Sequence, residues 1–181
     1  CALPISRVVE GITEVLSPNG YDILIANTNL SIEKELEYLN IFKSNQVDGI
    51  IFMATKVTEK HVKAIESLEV PIVVVAQDIK ECSSVFFDEF QATEDITNYI
   101  IKKGHEKLGY IGVYEEDIAV GLYRKQAYIK TLEKNNININ YENIKIGDFN
   151  EESGYRLAKE IMEGKNTPTA IVAVTDNLAL G

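Results

Sequence analysis

The sequence predicts an α/β fold built on parallel β-sheets, and three observations indicate it. Short runs of β-branched and aliphatic residues alternate with longer segments in which apolar residues recur every three or four positions. Two of these runs, residues 47–53 and 70–75, are short and rich in aliphatic residues, which is typical of strands covered on both faces. The order of elements also restarts near residue 88. Strands that alternate with helices at this spacing predict parallel pairing through right-handed crossovers.

The first half of the chain alternates helices and strands. Apolar positions three or four apart predict a helix over residues 6–16, which the Pro-Asn-Gly sequence at 18–20 ends. Residues 21–26 predict a short strand. Ser31 can cap a second helix, and the acidic residues Glu33 and Glu35 suit its positive N-terminus. The remaining elements predicted in this half are a strand at 47–53, a helix at 58–68 and strands at 70–75 and 85–87.

The second half continues the same alternation. A helix over residues 90–103 is predicted from an apolar stripe, and Gly104 supplies a left-handed residue that ends it. The stripe consists of Ala92, Ile96, Tyr99 and Ile100. The other predicted elements are strands at 107–113, 144–146 and 170–174, helices at 120–132 and 151–162, and a helix that begins at Asp176.

Composition narrows the classes of function. The 181 residues carry a formal net charge of −10, which disfavours a surface for nucleic acid because such surfaces cluster Lys and Arg. The two cysteines, Cys1 and Cys82, form no disulfide framework, which favours a reducing compartment. Without an apolar run of about 18 residues or a signal peptide, we expect no membrane association and a cytoplasmic location. Residues 1–5, CALPI, break the periodic pattern, and we expect them not to be native.

Catalytic, metal and cofactor signatures are weak. His61, in a predicted surface helix, and His105, in a turn, have no second histidine or cysteine at i+3 or i+4, which disfavours a metal site. The sequence contains no P-loop, no G-x-S-x-G and no G-x-G-x-x-G. The acidic run 115–117 is interpreted as a solvated loop. We therefore expect no cofactor and no enzymatic activity.

Three stretches carry a family resemblance: KGHEKLGYIG at 103–112, GLYRKQAY at 121–128 and TDNLALG at 175–181. Together they resemble the effector-binding core of the LacI/GalR family of bacterial transcription regulators, over nearly the whole chain. The resemblance implies a two-lobed fold of the type I periplasmic-binding-protein kind, each lobe a doubly wound parallel sheet. It places an N-terminal lobe at residues 1–87 and a C-terminal lobe at 88–181. It also implies that the chain is truncated at both ends, lacking a first strand, the last elements of the second lobe and a DNA-binding head.

The predicted ligand site follows from sheet topology. Ligands of open α/β sheets bind beyond the carboxyl ends of the strands, where loops and helix N-termini converge. The strand ends of both lobes therefore supply the candidates, at residues 53–55, 76–77, 113–115, 147–149 and 175–176.

Four residues are the site candidates that the resemblance implies. Arg124 lies three residues before Ala127-Tyr128, where relatives carry an arginine before a Gly-aromatic pair, and would donate to ligand hydroxyls or a carboxylate. An exposed helix arginine is the alternative. Phe149 would stack on a sugar or purine face, with core packing as the alternative. Thr175 would supply a polar contact, and Asp176 would cap the last helix and also present a carboxylate.

Two functions from different classes share this fold. The first is the ligand-sensing and dimerisation core of a LacI-type transcription regulator, which binds a small sugar or sugar-acid effector. Such a protein forms a homodimer and reaches operator DNA only through a helix-turn-helix domain outside this chain. The second is a periplasmic or extracellular sugar-binding protein of a transport system. The Gly-His element, the missing signal peptide and the arginine position favour the first.

Overall fold

The computed structural model describes residues 3–54 and 56–181, with side chains from residue 6 onward, and contains two separate three-stranded sheets. All strand pairs within both sheets are parallel. The strands are β1 Ile50–Met53, β2 Ile72–Val75, β3 Ser83–Val85, β4 Leu108–Val113, β5 Ile144–Gly147 and β6 Ala170–Ala173. The helices are α1 Leu3–Leu16, α2 Ile32–Ser44, α3 Glu59–Glu66, α4 Glu89–Lys102, α5 Arg124–Lys134, α6 Glu151–Met162 and α7 Asp176–Leu180.

The first sheet has the strand order β1-β2-β3, with Ile50 beside Ile72 and Val73 beside Ser83. Its core joins β1 and β2 to the buried faces of α2 and α3 through Leu39, Phe52, Ile65 and Val74. The parallel pairing of β1 with β2, predicted from the two apolar runs, is confirmed.

The second sheet has the order β5-β4-β6, and all six residues of its central strand β4 are buried. Tyr110 on β4 packs against Tyr128 on α5, with ring centroids 4.8 Å apart. Leu132, Ile161 and Leu178 extend this core to α5, α6 and α7. The continuous apolar sequence of β4 therefore reflects helices on both faces of the sheet.

Polar residues fix the helix starts. Ser31 caps α2, Asp88 caps α4 by accepting from the Gln91 N–H at 2.9 Å, and Asn150 caps α6 by accepting from the Ser153 N–H at 2.8 Å. At the end of α4, Gly104 has φ 93°, the left-handed conformation predicted for it. No helix in the described part of the chain is long and apolar enough to cross a membrane.

The strand predicted at residues 21–26 is wrong. These residues form an irregular segment in which Leu24 is 68% exposed and Ile25 is 71% exposed. A strand needs a neighbour to satisfy its backbone N–H and C=O groups, and the described sheet around β1 extends only toward β2 and β3.

The buried face predicted for α4 is wrong for Ala92, Ile96 and Tyr99, which are exposed, although Ile100 packs against the core as predicted. Ile96 and Tyr99 are about half exposed, whereas Glu89, Thr93 and Thr97 are buried. The Thr93 hydroxyl donates to the Glu89 carbonyl at 2.9 Å, so its polar group is satisfied within the helix and the residue can be buried. A pattern that counts only apolar residues cannot find such a face.

Two further elements differ from their predicted bounds. The strand predicted at 85–87 is β3, which ends at Val85, and the exposed Phe86 and Phe87 lead to α4. The helix predicted from residue 120 begins as a π-helical turn, Ile118–Tyr123, before α5 starts at Arg124. The predicted domain boundary between residues 87 and 88 falls in the segment that joins the two sheets, and it stays a prediction.

Candidate functional site

The loops that follow the strands place polar side chains from both halves of the chain around one cavity. Its volume is about 190 Å³, below the roughly 300–1,000 Å³ of sites for drug-sized ligands, which suits a small molecule. One wall comes from the first half and consists of Leu30, Ile32, Glu35 and Lys56. The opposite wall comes from the second half and consists of Tyr114, Glu116, Asp117 and Phe149.

A buried hydrogen bond connects the two halves beside this cavity. The Gln77 Nε2 group, just after β2, donates to Asp117 Oδ1 at 3.2 Å, and each residue is 6% exposed. Ala76 has φ 72°, so the chain turns sharply before Gln77. This contact confirms that the strand ends at 76–77 and after β4 meet.

Asp117 is a buried carboxylate with two defined roles. Its Oδ1 atom also accepts from the Val120 N–H at 2.9 Å, which caps the π-helical turn. Burial raises the pKa of Asp117, and the hydrogen bonds from Val120 and Gln77 offset part of that rise. The interpretation of residues 115–117 as a solvated loop is therefore wrong for Asp117, because the chain folds back over its carboxylate.

A second buried carboxylate, Glu35, lies on the opposite wall. Glu35 Oε2 is 3.0 Å from His61 Nε2, and the two side chains are 5% and 0% exposed. His61 Nε2 has no hydrogen-bond partner among the described residues, so this contact is electrostatic. Thr28 Oγ1 lies 3.4 Å from Glu35 Oε1. Two neighbouring side chains therefore hold the carboxylate at the cavity wall.

His61 is not a surface residue, which corrects its predicted position. The Thr58 N–H donates to His61 Nδ1 at 3.1 Å, completing a capping box at the start of α3. Because a backbone N–H can only donate, Nδ1 is an acceptor and the ring proton is on Nε2, the atom that lies 3.0 Å from Glu35 Oε2. His61 thus belongs to the core of the first half.

Arg124 is the first residue of α5 and joins three elements. Its Nε and Nη2 atoms lie 2.7 Å and 2.6 Å from Glu89 Oε2, at the start of α4, and its Nη1 atom donates to the Val174 carbonyl beyond β6. The Arg124 side chain is 25% exposed and that of Glu89 is 10% exposed. The arginine therefore lies at the carboxyl end of the sheet as predicted, but it does not line the cavity, and its role toward a ligand stays a prediction.

Phe149 follows β5 and faces the cavity. It is 37% exposed, and its carbonyl accepts from the Asn177 side chain at 3.2 Å. The residue is therefore not part of the buried core of the second sheet, which was the alternative for it. Its ring is available as an apolar surface beside Asp117.

Thr175 and Asp176 lie beyond β6 but do not line this cavity. The Thr175 hydroxyl accepts from the Leu178 N–H at 3.4 Å, so Thr175 caps α7. Asp176 is the first residue of α7 and is exposed, so its predicted capping role is wrong. Of the candidates at 53–55, Thr55 lies outside the described residues.

Four charged residues of this region were missed by sequence reasoning. Glu35 was interpreted only as an acidic residue near a helix start, and Lys56, Glu89 and Asp117 were not singled out for a site. Only the position of Lys56 and Asp117 just beyond predicted strand ends could have indicated them. The partners of Glu35 and Glu89 are 26 and 35 residues away along the chain, so no local pattern contains them. Among residues 3–54 and 56–181, no group of three or more His, Cys, Asp or Glu side chains is placed to hold a metal ion.

Comparison with known proteins extends over nearly the whole chain. Residues 5–181 match the profile of the family described as "Periplasmic binding proteins and sugar binding domain of LacI family". The chain is 31% identical over 176 residues to the sucrose operon repressor of Staphylococcus xylosus and 32% identical over 179 residues to catabolite control protein A of Priestia megaterium. Each alignment covers 97% of this chain and 54% of the relative, so the chain spans about half the length of these proteins.

Solved structures have the same fold. The transcription regulator CcpA of Lactococcus lactis superposes with a TM-score of 0.86 at 27% identity, over 97% of this chain and 65% of that protein. A LacI family regulator from Lactobacillus casei with bound glucose superposes with a TM-score of 0.82 at 21% identity, over 97% and 67%, which shows the fold alone. The resemblance seen in the three stretches is thus confirmed, and the chain belongs to the family of periplasmic binding proteins and LacI-type sugar-binding domains.

Proposed function

We propose that this chain is the ligand-sensing and dimerisation part of a bacterial LacI-type transcription repressor, binding a small sugar or sugar acid between two lobes. The observation that carries the proposal is the cavity with one wall from each half of the chain, bridged beside it by Gln77 and Asp117. A ligand held there contacts both halves, so it can favour one relative orientation of them. The similarity to two regulators supports a sensory role.

The proposal assigns the four predicted residues to the ligand. Arg124 donates to ligand oxygens, the Phe149 ring covers an apolar face, and Thr175 and Asp176, which lie outside the cavity lining, supply polar contacts. Arg124 and Phe149 have the stronger support, because Arg124 lies at the sheet's carboxyl end and Phe149 lines the cavity. The sucrose operon named for the Staphylococcus xylosus relative supports a sugar as ligand.

The proposal also covers the domain boundary, the oligomeric state, DNA binding and the location of the protein. The lobes divide between residues 87 and 88, two copies pair as a homodimer, and operator DNA is bound by a helix-turn-helix domain outside this chain. Because a repressor acts on the chromosome, the protein works in the cytoplasm. It catalyses no reaction. Ligand binding shifts the lobe orientation and so changes how two DNA-binding heads fit their half-sites, with a coupling of about 1–3 kcal/mol.

The alternative, a sugar-binding protein of a transport system, falls under the same family description. The two curated relatives described above are regulators of transcription, which favours the repressor. The reading frame upstream of the chain discriminates between the two. A basic helix-turn-helix there supports the repressor, and a secretory or lipoprotein signal contradicts it.

Calorimetric titration of the chain against a panel of sugars and sugar acids tests the binding function. We expect at least one panel member to bind the wild type, and Arg124→Ala and Phe149→Ala to weaken it. Arg156→Ala is the matched control, because Arg156 is exposed on α6 and pairs with Glu160 at 3.0 Å. A panel without any bound member contradicts the proposal.

A further inference from the structure

The charges of the cavity are unbalanced. Three carboxylates, Glu35, Glu116 and Asp117, line it together with one ammonium group, that of Lys56. Glu35 and Asp117 are 5% and 6% exposed, so water screens them little, whereas Glu116 and Lys56 are exposed. The field inside the cavity is therefore set mainly by two buried carboxylates.

Both buried carboxylates are held in place from outside the cavity. Glu35 accepts from the Thr28 hydroxyl at 3.4 Å and lies 3.0 Å from His61 Nε2. Asp117 accepts from the Val120 N–H at 2.9 Å and from the Gln77 amide at 3.2 Å. An ionised carboxylate only accepts hydrogen bonds. A ligand that satisfies the remaining lone pairs must donate hydrogen bonds, as hydroxyl groups do and as a carboxylate or phosphate of the ligand does not.

The arginine predicted to anchor the ligand already has a counter-ion. Its Nε and Nη2 atoms share Glu89 Oε2, and Nη1 donates to the Val174 carbonyl, which uses three of the five N–H groups of Arg124. Two N–H groups remain for neutral oxygens. An anionic ligand group would have to displace Glu89, which is 10% exposed, and a buried carboxylate without its partner is strongly destabilising.

We propose that the cavity takes an uncharged polyhydroxylated ligand and discriminates against anionic sugars such as sugar acids and sugar phosphates. This inference rests on the proposed sugar-binding function and narrows it to neutral sugars. The ligand's hydroxyls donate to Glu35 and Asp117 of the cavity wall. The contact proposed for Arg124, which lies outside this lining, is made by neutral hydroxyl oxygens, so the Glu89–Arg124 pair stays intact. The cavity is then specific because its carboxylates repel anionic sugars as well as because it forms hydrogen bonds to neutral ones.

Calorimetric titration with matched neutral and anionic sugars tests the proposal. The probes are glucose, glucuronate and glucose 6-phosphate, together with galactose, galacturonate, fructose and fructose 6-phosphate. For whichever sugar binds, we expect the neutral sugar to bind at least tenfold more tightly at low salt than the acid or phosphate of the same sugar. Because salt screens the part of the repulsion that acts through solvent, the affinity of the neutral sugar relative to its anionic partner should fall at higher salt.

Two variants identify the source of the discrimination. Glu89→Gln removes the counter-ion of Arg124, and Glu116→Gln removes an exposed charge from the cavity wall without touching a buried contact. Both should raise the affinity of the anionic probes relative to the neutral ones, by up to roughly fivefold for Glu116→Gln. Glu142→Gln is the control, because Glu142 is exposed near the amino end of β5, at the opposite edge of the sheet, and it should leave the ratio unchanged.

The outcomes separate this inference from the proposed function. An anionic probe that binds as tightly as its neutral partner overturns the discrimination and leaves sugar binding standing. If neither Glu89→Gln nor Glu116→Gln changes the affinity of the neutral probes relative to the anionic ones, these carboxylates are not the source of the discrimination. A panel in which no probe binds overturns the sugar-binding function and this inference with it.

Discussion

Arg124 has a structural duty as well as its proposed ligand role. Its guanidinium connects the start of α4 with the end of β6 through Glu89 and the Val174 carbonyl. Any substitution therefore also leaves the mostly buried Glu89 without its counter-ion. Binding and stability must be measured on the same variant before a loss of affinity is assigned to ligand contact.

Arg124→Ala should weaken binding of the effector by about 2–4 kcal/mol, because charge-assisted hydrogen bonds in a partly desolvated cleft exceed the roughly 1 kcal/mol of neutral ones. Arg124→Lys should recover little of the lost affinity, because the ammonium group of lysine cannot form the paired hydrogen bonds of a planar guanidinium. Calorimetric titration measures the affinity, and denaturant unfolding measures the stability. An Arg124→Ala variant that folds normally and binds as tightly as the wild type contradicts the assignment.

Phe149→Ala should weaken the same ligand by roughly 1–3 kcal/mol if the ring covers an apolar sugar face. Because Phe149 is 37% exposed, the free energy of unfolding should fall by about 1–2 kcal/mol, less than the roughly 3–5 kcal/mol for a fully buried phenylalanine. Tyr141→Ala is the control, an aromatic residue 67% exposed near the amino end of β5. A large fall in melting temperature with unchanged affinity would instead assign Phe149 to packing.

Asp117 makes stability depend on pH in a defined direction. Burial raises the pKa of its carboxyl, so the folded state binds this proton more tightly than the unfolded state. Stability from this group is therefore greatest below its ordinary pKa near 3.8 and falls as pH rises through the raised value.

Asp117→Asn keeps the Oδ1 acceptor for Val120 and Gln77 and removes the charge. The variant should be at least as stable as the wild type at neutral pH, and the difference should disappear in acid. Denaturant unfolding from pH 3 to pH 8 measures this. A variant less stable than the wild type at neutral pH contradicts the direction of the pKa shift.

At the scale of secondary structure, Gly121 fixes the path of the chain around the cavity. It lies in the π-helical turn, and a Cβ atom on it would overlap the Tyr114 carbonyl group. The loop from Tyr114 to Asp117, one wall of the cavity, therefore packs directly on this glycine.

Gly121→Ala should destabilise the fold by about 1–3 kcal/mol, because the overlap involves backbone atoms that must move. It should also weaken ligand binding, since the loop carries Asp117. Gly11→Ala is the control: it is exposed on α1 with open space around its Cβ position, and it should stabilise by about 0.5–1 kcal/mol. Thermal unfolding compares the two, and an equal response argues against the role of Gly121.

The local sequence pattern predicts most helices and strands, but it does not predict which strands pair or which distant side chains meet. The helix at 151–162 was predicted with its observed bounds, because Asn150, the acidic first turn and the apolar stripe agree. The segment at 21–26 has the same apolar character as β1, yet pairing depends on a neighbouring strand that a local pattern does not contain. The strand-end rule located Phe149 and the Gln77 region, whereas the Glu35–His61 and Arg124–Glu89 pairs join residues too distant along the chain to be predicted.

For the whole molecule, the proposal predicts a homodimer of the complete repressor, since a palindromic operator needs two heads. Light scattering at micromolar concentration should give twice the monomer mass. The chain of residues 1–181 should show no specific operator affinity, because it carries a net charge of −10 and residues 5–181 match a sugar-binding family. A strict monomer of the complete protein, or a specific, salt-sensitive gel shift with this chain, would contradict these expectations.

We expect the buried Gln77–Asp117 contact to limit how fast a ligand can enter. Asp117 lines the cavity and is bonded across to the other half of the chain, so parting the two walls breaks a hydrogen bond between groups that water does not reach. Association that must wait for such an opening is slower than diffusion allows. The observed association rate should therefore level off at high ligand concentration, and Gln77→Ala should raise that plateau by releasing the walls.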